Sequence, residues 1–366
     1  MARLTGIGVG GFKSIKDLQR LPIRPVNVFI GANGSGKSNL ISFFRLLVSI
    51  PGLKLQEHVG HAGGPNALLY YGVKQTPALW ASLEFEVKAG KGLYLFWLRS
   101  TATDSLIFSS EEVAAPIIKN GDSKRRQLGS GHKESLLMEG ENHFLEVWDL
   151  LSDIQIFHFE DTSETAPIRL RGYVQDSRHL QNDGRNLAAF LHSLKRREPA
   201  YYLRIVKTIQ QIAPFFDDFD LAPIPDDPNN ILLNWKDRDS DHLFGPHQLS
   251  DGTLRSMALV TLLAQPEKEL PGLIVIDEPE IGLHPYALEV LAGLVKGASV
   301  HRPIILATQS AALVNQFAAE DVVTVTREKA QSKFERQNSE SLASWLEEYA
   351  VGEIWERNLI GGTPSR

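Results

Sequence analysis

The chain has 366 residues, 43% hydrophobic and 22% charged, which excludes whole-chain disorder and suffices for one large or two modest domains. With 38 basic and 44 acidic residues its formal net charge is -6, so any surface for a phosphate polymer must be local. It has no cysteine, hence no disulfides, thiolate zinc sites or cysteine nucleophiles, and it shows neither a signal-type leader nor an apolar run of membrane-spanning length. A cytoplasmic, soluble protein without a membrane partner is the expectation.

VNVFI (26–30) is a short β-branched run that stops at Gly31, and after a glycine-rich turn the amphipathic SNLISFFRLLVSI follows. This predicts strand, loop and helix. ALWASLEFEV, GLYLFWLRST and SLIF, separated by AGK and TD, predict antiparallel strands with tight turns between 78 and 108. Residues 119–135 are polar and glycine-rich and predict a loop, and DIQIFHFE (153–160) predicts a further strand. Apolar spacing of three and four predicts helices over 186–194 and 201–212, separated by the basic KRREP stretch. After the breaker-rich APIPDDPNN (222–230), ILLNW and HLF predict strands leading to a second glycine turn at 249–252. Helix 253–263, buried strand LIVID (273–277), a helix entered at Pro285, and strands IILAT (304–308) and DVVTVTR (321–327) complete a parallel α/β pattern.

Two segments carry chemistry. Gly31-Ala32-Asn33-Gly34-Ser35-Gly36-Lys37-Ser38 fits the phosphate-loop pattern in the strand-to-helix setting that the pattern needs. Its glycines let backbone N–H groups approach phosphates, Lys37 supplies a cation for the β/γ oxygens, and Ser38 offers a hydroxyl to Mg²⁺. The LIVID strand ends in Asp277, placed to hold Mg²⁺ at the carboxyl edge of a sheet. Adjacent strand residues face opposite ways, but Pro279 ends the strand, so Glu278 can turn towards the phosphates as base for an attacking water. Leu249-Ser250-Asp251-Gly252-Thr253 is by itself an ordinary N-cap and turn. Its place 24 residues before the LIVID strand makes it a candidate signature.

A phosphate loop, an L-S-x-G-type signature and an apolar strand ending D-E-P, in this order, resemble the ABC-type ATPase heads of the RecF, SMC and OLD group. GFKSIKDL, VFIGANGSGKSNLI, QLSDGTLRSMALV, IVIDEPEIGLHP and GEIWERNLIGG are similar to stand-alone bacterial ATPases of that group, whereas residues about 40–185 match loosely. The resemblance implies an α/β fold, an ABC-type head with a mixed phosphate-loop sheet, an antiparallel β-subdomain and a helical insertion. The expected divisions are an N-terminal lobe (1–175), a helical insertion and connector (176–248), a C-terminal ATPase lobe (249–330) and a tail (331–366).

It also implies ATP and Mg²⁺ as ligands, with Gly31, Asn33, Gly34, Ser35, Gly36, Lys37, Ser38 and Asn39 on the nucleotide, Ser38 and Asp277 on the metal, and Glu278 and Gln309 catalytic. Ser250 and Gly252 would act in trans across a homodimer, and Glu280 to His284 would form the loop at its seam. With no cysteine or second histidine nearby, His284 fits a helix entry or seam better than a metal site. Many members carry a histidine where this chain has Gln309, which can donate to a γ-phosphate but cannot become a cation. Gln75 is a candidate for the Mg²⁺-sensing glutamine of such heads. Lys13 is a candidate for the phosphates or base, or simply an exposed lysine. The basic clusters Lys124-Arg125-Arg126 and Lys195-Arg196-Arg197 are candidate DNA contacts or solvated faces. A separate nuclease or toxin subunit is the expected partner, in anti-phage defence or genome maintenance. A nucleotide-clamped scaffold and a transporter motor are the alternatives.

Overall fold

The structure, a computed structural model, describes residues 2–114, 125–139 and 142–363. Its central sheet has six strands in the spatial order Gln331–Arg336, Val322–Glu328, Val26–Ile30, Ile304–Thr308, Leu273–Asp277, Ile154–Phe157. Neighbours run parallel except at Gln331–Arg336, which closes a hairpin on Val322–Glu328. A second six-stranded sheet is antiparallel throughout, in the order Ile15–Pro22, Arg3–Phe12, Ala78–Val87, Gly90–Ser100, Leu106–Ala114, Arg125–Gly129.

Side-chain alternation explains why the central strands are apolar at almost every position. Val28, Ile30, Ile274, Ile276, Ile304 and Leu306 point into one cluster with Phe190, Ile205, Leu259 and Leu291 of the helical lobe. Phe29, Leu273, Val275, Ile305 and Ala307 point the other way, into a cluster with Phe43, Leu47, Leu83 and Phe96. Both faces of the sheet are covered, as parallel sheets require. Helix Lys37–Ser49 shares this second cluster with residues of both sheets, so the residue that begins it, Lys37, is carried on a helix anchored in the core.

Strands 78–87 and 90–100 lie where alternation places them, and the third runs past the predicted Phe108 to Ala114. The leading strand Arg3–Phe12 is not marked by the same signal, because Gly6, Gly8 and Gly10 occupy alternate positions of one face. Their partners Glu84, Ser82 and Trp80 explain the glycines: the Trp80 ring lies where a Cβ on Gly10 would stand.

The expected loop at 119–135 is corrected in part. Residues 119–124 lie outside the described residues, but Arg125–Gly129 is an edge strand paired with Glu111–Ala114. The following segment is pinned by the fully buried Glu111 carboxylate, which accepts from Tyr94 Oη (2.7 Å), Ser135 Oγ (2.5 Å) and Leu136 N (3.0 Å) and pairs with His132 Nε2 (2.8 Å). Composition alone cannot show a distant carboxylate that satisfies a polar segment.

In the middle, the first helix continues through the basic stretch as Leu187–Arg197 and breaks only at Glu198, because Pro199 starts the next helix, Pro199–Ile212. Residues 153–160 narrow to the four-residue edge strand Ile154–Phe157. Residues 331–363 are built into the fold through strand Gln331–Arg336 and helices Ala343–Leu346 and Val351–Glu356.

Phe43 is fully buried between Phe12, edge-on at 5.9 Å, and Phe44 at 6.1 Å. Phe43→Ala is expected to destabilise the protein by about 3–5 kcal/mol through lost burial and a residual cavity. Urea denaturation with an unchanged slope checks this.

Candidate functional site

Parallel register sets the geometry of the site. Ile30 pairs with Thr308, and Asp277 with Ala307, so three neighbouring strands end together at their carboxyl edge. Strand Ile304–Thr308 lies between the strand that leads into the phosphate loop and the strand that ends in Asp277. Gln309, immediately after it, therefore emerges between Lys37 and the acidic residues. Crevices at the carboxyl ends of such sheets are where ligands bind.

Gly34 (φ +76°) and Gly36 (φ +118°) are left-handed, a geometry that turns successive N–H groups towards one concavity. A Cβ on Gly34 would meet nothing within 4 Å, and the buried Ser35 hydroxyl has no hydrogen-bond partner. Lys37 Nζ donates to the carbonyls of Gly31 and, at 3.3 Å, Ala32. Burial holds this ammonium below the usual lysine range, against the pull of Glu278, Asp277 and Glu280. Asn39 Nδ2 donates to Ser14 Oγ at 2.6 Å, Ser14 Oγ lies 2.6 Å from Ser332 Oγ, and Ser332 Oγ donates to Ser35 O at 2.6 Å. Asn39 thus braces the loop through two serines rather than pointing freely into it.

Across from Lys37, burial pushes the Asp277 carboxyl up to about 6, with Glu278 and Glu160 adding to the shift and His158 and Arg45 opposing it. Glu278 has φ +43°, a strained value for a glutamate, which breaks strand alternation and lets it share the edge with Asp277. Gln309 Nε2 donates to Glu278 Oε1 at 2.6 Å, and the Gln309 backbone N–H donates to Glu280 Oε1 at 2.8 Å. The glutamine amide expected to face a γ-phosphate is here engaged with the carboxylate beside it. Glu280 Oε2 is buried without a partner.

Ser250 caps helix Asp251–Ala264, accepting from Thr253 N at 3.2 Å. Gly252 packs against Gly282, whose carbonyl occupies the space a Cβ would need. His284 serves as N-cap of helix Pro285–Ser299, accepting from Tyr286 N at 3.3 Å. Two buried arginines hold this region, and nothing in their sequence neighbourhoods singled them out. Arg169 donates to Thr162 O (2.7 Å), Leu249 O (3.1 Å), Pro246 O and Asp251 Oδ1 (2.7 Å). Arg255 donates to Phe159 O and Glu160 O (each 2.8 Å) and to Ile281 O. The signature turn, the segment after Phe157 and the loop after Glu278 are thereby joined.

Gln75 lies in the turn before Ala78, its N–H on Gly72 O. His158, one residue beyond the pairing of Phe157 with Ile276, is among the charged groups that act on Asp277. Lys13 lines a cavity of about 580 Å³ with Asn39, Asn66, Tyr71, Arg327 and Ala330. Lys13, Tyr71 and Ala330 all have positive φ, so strained backbone concentrates there. Within the first basic cluster, Lys124 lies outside the described residues while Arg125 and Arg126 begin the edge strand. In the second, Lys195 pairs with Asp218 (3.0 Å) and Arg197 with Glu269 (2.9 Å), while Arg196 is exposed.

The residues fit a Mg²⁺–nucleotide pair: an open cradle of N–H groups, an orphan hydroxyl, a buried cation and a half-buried carboxylate face one another. Among the described residues no three His, Cys, Asp or Glu side chains form a metal cage, so a Mg²⁺ at Ser38 and Asp277 would share its remaining sites with phosphate oxygens and water.

The raised Asp277 carboxyl has a consequence for stability. Its folded-state value, about 6, exceeds the ordinary carboxylate value, so the folded form holds the proton longer and stability falls as pH rises from about 4 to 6. The nucleotide-free Asp277→Asn protein is expected to melt above the parent at pH 8, with the gap closing below pH 4. Calorimetry across pH 3.5–8 checks it.

No curated protein matches the chain in sequence. Among solved structures, it is similar to the Smc head bound to the C-winged helix domain of ScpA (16% identity, TM-score 0.61, covering 93% of this chain and 99% of that one). It is also similar to the Smc head with an extended coiled coil bound to the C-terminal domain of ScpA, derived from Pyrococcus furiosus (15%, 0.59, 95% and 99%). A third is the Smc head with a coiled coil and joint from Pyrococcus yayanosii (12%, 0.56, 95% and 99%). At these identities the likeness concerns the fold. A family model described as "AAA domain, putative AbiEii toxin, Type IV TA system" matches residues 26–315. Spanning most of the chain, that match establishes that the chain belongs to this AAA-domain family, and its fold is that of SMC heads.

Proposed function

We propose that the chain binds Mg·ATP on the Gly31–Asn39 loop, hydrolyses it slowly, and closes on a second copy around two nucleotides to drive a separate effector subunit. The observation that carries this reading is the convergence of Lys37, Asp277, Glu278 and Gln309 on one sheet edge, with Glu278 held in a strained conformation by an amide. Loop N–H groups and the Lys37 ammonium bind the β/γ-phosphates. Ser38 and Asp277 hold Mg²⁺, which supplies charge neutralisation at the phosphate oxygens. Glu278 takes a proton from the attacking water, and Gln309 fixes the carboxylate oxygen that must face it. The cavity lined by Lys13 and Tyr71, beside Asn39, takes the base and ribose, with the ring on Tyr71.

Ser250 and Gly252 line neither this cavity nor the one of about 490 Å³ beside Asn33 and Gly34. Ser250 stands at the N-terminus of a fourteen-residue helix whose first-turn carboxylate, Asp251, is already engaged by Arg169, which supports use of the serine hydroxyl and helix N–H groups in trans. Ile281 and Tyr286, large and exposed beside the Gly252–Gly282 contact, supply apolar area for the seam. The family description names a toxin, and two of the similar Smc heads carry a bound ScpA domain. Both support coupling to a protein partner in defence or genome maintenance, while the acid-paired Lys195 and Arg197 speak for a protein effector ahead of DNA.

Lys37→Ala is expected to weaken ATP binding roughly 10- to 100-fold, the value of one charge-assisted contact. Glu278→Gln should keep that affinity and lose roughly 100-fold or more in turnover. Binding titrations and phosphate release separate the two, and full turnover by Glu278→Gln removes the base assignment.

Ser250→Arg protein should bind ATP yet neither dimerise nor hydrolyse it. Mixed with Lys37→Ala protein it should regain at most one working site per dimer, because one intact loop then faces one intact signature. Normal hydrolysis by monomeric Ser250→Arg protein, seen by sedimentation with ATP, would make the site self-contained.

A further inference from the structure

Residues 351–363 touch both sides of the site. Helix Val351–Glu356 docks on Ala311–Val314, the helix that begins just after Gln309 and Ser310. Gly352 N donates to Asn315 Oδ1 at 2.7 Å, and a Cβ on Gly352 would collide with that oxygen (2.6 Å) and with the Ala311 carbonyl. The docking helix then ends in a left-handed reversal: Asn358 has φ +59°, its N–H donates to Trp355 O at 2.7 Å, and Leu359 N donates to Ile354 O at 3.1 Å. The reversal sends the chain back across the sheet edge. Gly361 (φ +73°) and Gly362 (φ +86°) follow, and the Gly362 carbonyl accepts the Ala32 N–H at 2.7 Å.

Space there is tight. A Cβ on Gly362 would lie 3.1 Å from Trp355 Nε1, 3.2 Å from Val325 O and 3.6 Å from Gly31 Cα. Gly362 and Thr363 also wall the cavity shared with Asn33, Gly34 and Ser35.

We propose that residues 351–363 are a positioning strap for the nucleotide site. The Gly362 carbonyl fixes Ala32 and so holds the loop in the shape that receives phosphates, while Gly352 ties the strap to the helix leading from Gln309. Loop shape and Gln309 position are then mechanically joined, with no catalytic group in the strap. The inference rests on the phosphate-loop reading of Gly31–Asn39.

The test compares full-length Gly362→Val and Gly362→Ala proteins with the parent. Ala32 amide exchange is measured without nucleotide, alongside ATP affinity, KM, kcat and melting temperature. Both substitutions meet the strain of a left-handed backbone at φ +86°; the alanine further asks its neighbours to give by a few tenths of an ångström, and the larger valine must displace the strap. The expected result is faster Ala32 exchange and an ATP affinity lowered about tenfold or more for valine and less for alanine, with KM rising and kcat changing far less. If Gly362→Val does not fold, the graded effect of Gly362→Ala carries the test. Unaltered affinity with faster Ala32 exchange overturns the strap, as does a parallel loss of kcat and melting temperature at constant KM. If Lys37→Ala also leaves affinity unaltered, the phosphate-loop reading itself fails. If Lys37→Ala weakens binding and the Gly362 variants do not, only the strap is wrong.

Discussion

The site depends on one strand placed between two others. Strand Ile304–Thr308 separates the strand entering the phosphate loop from the strand ending in Asp277, and the parallel register brings all three ends to one edge. This arrangement sets Lys37 within reach of the charges of Asp277, Glu278 and Glu280 and brings the Gln309 amide onto Glu278. Because alternate residues of each strand enter different clusters, a register slip would exchange both cores at once.

That edge is electrostatically costly. Glu278 and Glu280 act on Lys37 there, and burial is the leading influence on both Lys37 and Asp277, disfavouring the charge of each. The strained Glu278 backbone and the orphan Ser35 hydroxyl and Glu280 oxygen belong to the same pattern. Rigid surroundings hold these groups in place: a helix anchored through Phe43 and Phe44, and a chain of serine contacts through Ser14 and Ser332. Asp277 is a cost to the fold for a definite reason, since neutralising it relieves the burial of charge.

The signature is tied to the same edge through backbone carbonyls. Arg169 and Arg255 each collect carbonyl oxygens from segments far apart in the chain, so movement of helix Asp251–Ala264 would be felt at Glu160 and Ile281, beside Asp277 and Glu278. Arginine suits this task because its fork of donors can serve several acceptors at once. The strap proposed for residues 351–363 adds a second link, on the opposite side of Gln309.

Much was legible from residue order alone. The phosphate loop declares itself because its glycines, lysine and serine must be consecutive to wrap one phosphate, and LIVID-Glu278-Pro279 because a buried strand and its breaker are local signals. The strands between 78 and 108 were visible through alternation, and the pattern as a whole through its resemblance to ABC-type heads. Tertiary structure alone decided what depends on distant partners. Glycines in Arg3–Phe12 concealed a strand until Trp80 was seen lying over them, Arg125–Gly129 took its order from the neighbouring Glu111–Ala114 strand, and Gln309 was found bonded to Glu278. His158 was brought to act on Asp277 through register, which no local spacing encodes. Short-range chemistry is written in consecutive residues. Which carboxylate an amide reaches, or which carbonyls an arginine gathers, is set only when the sheets and helices pack.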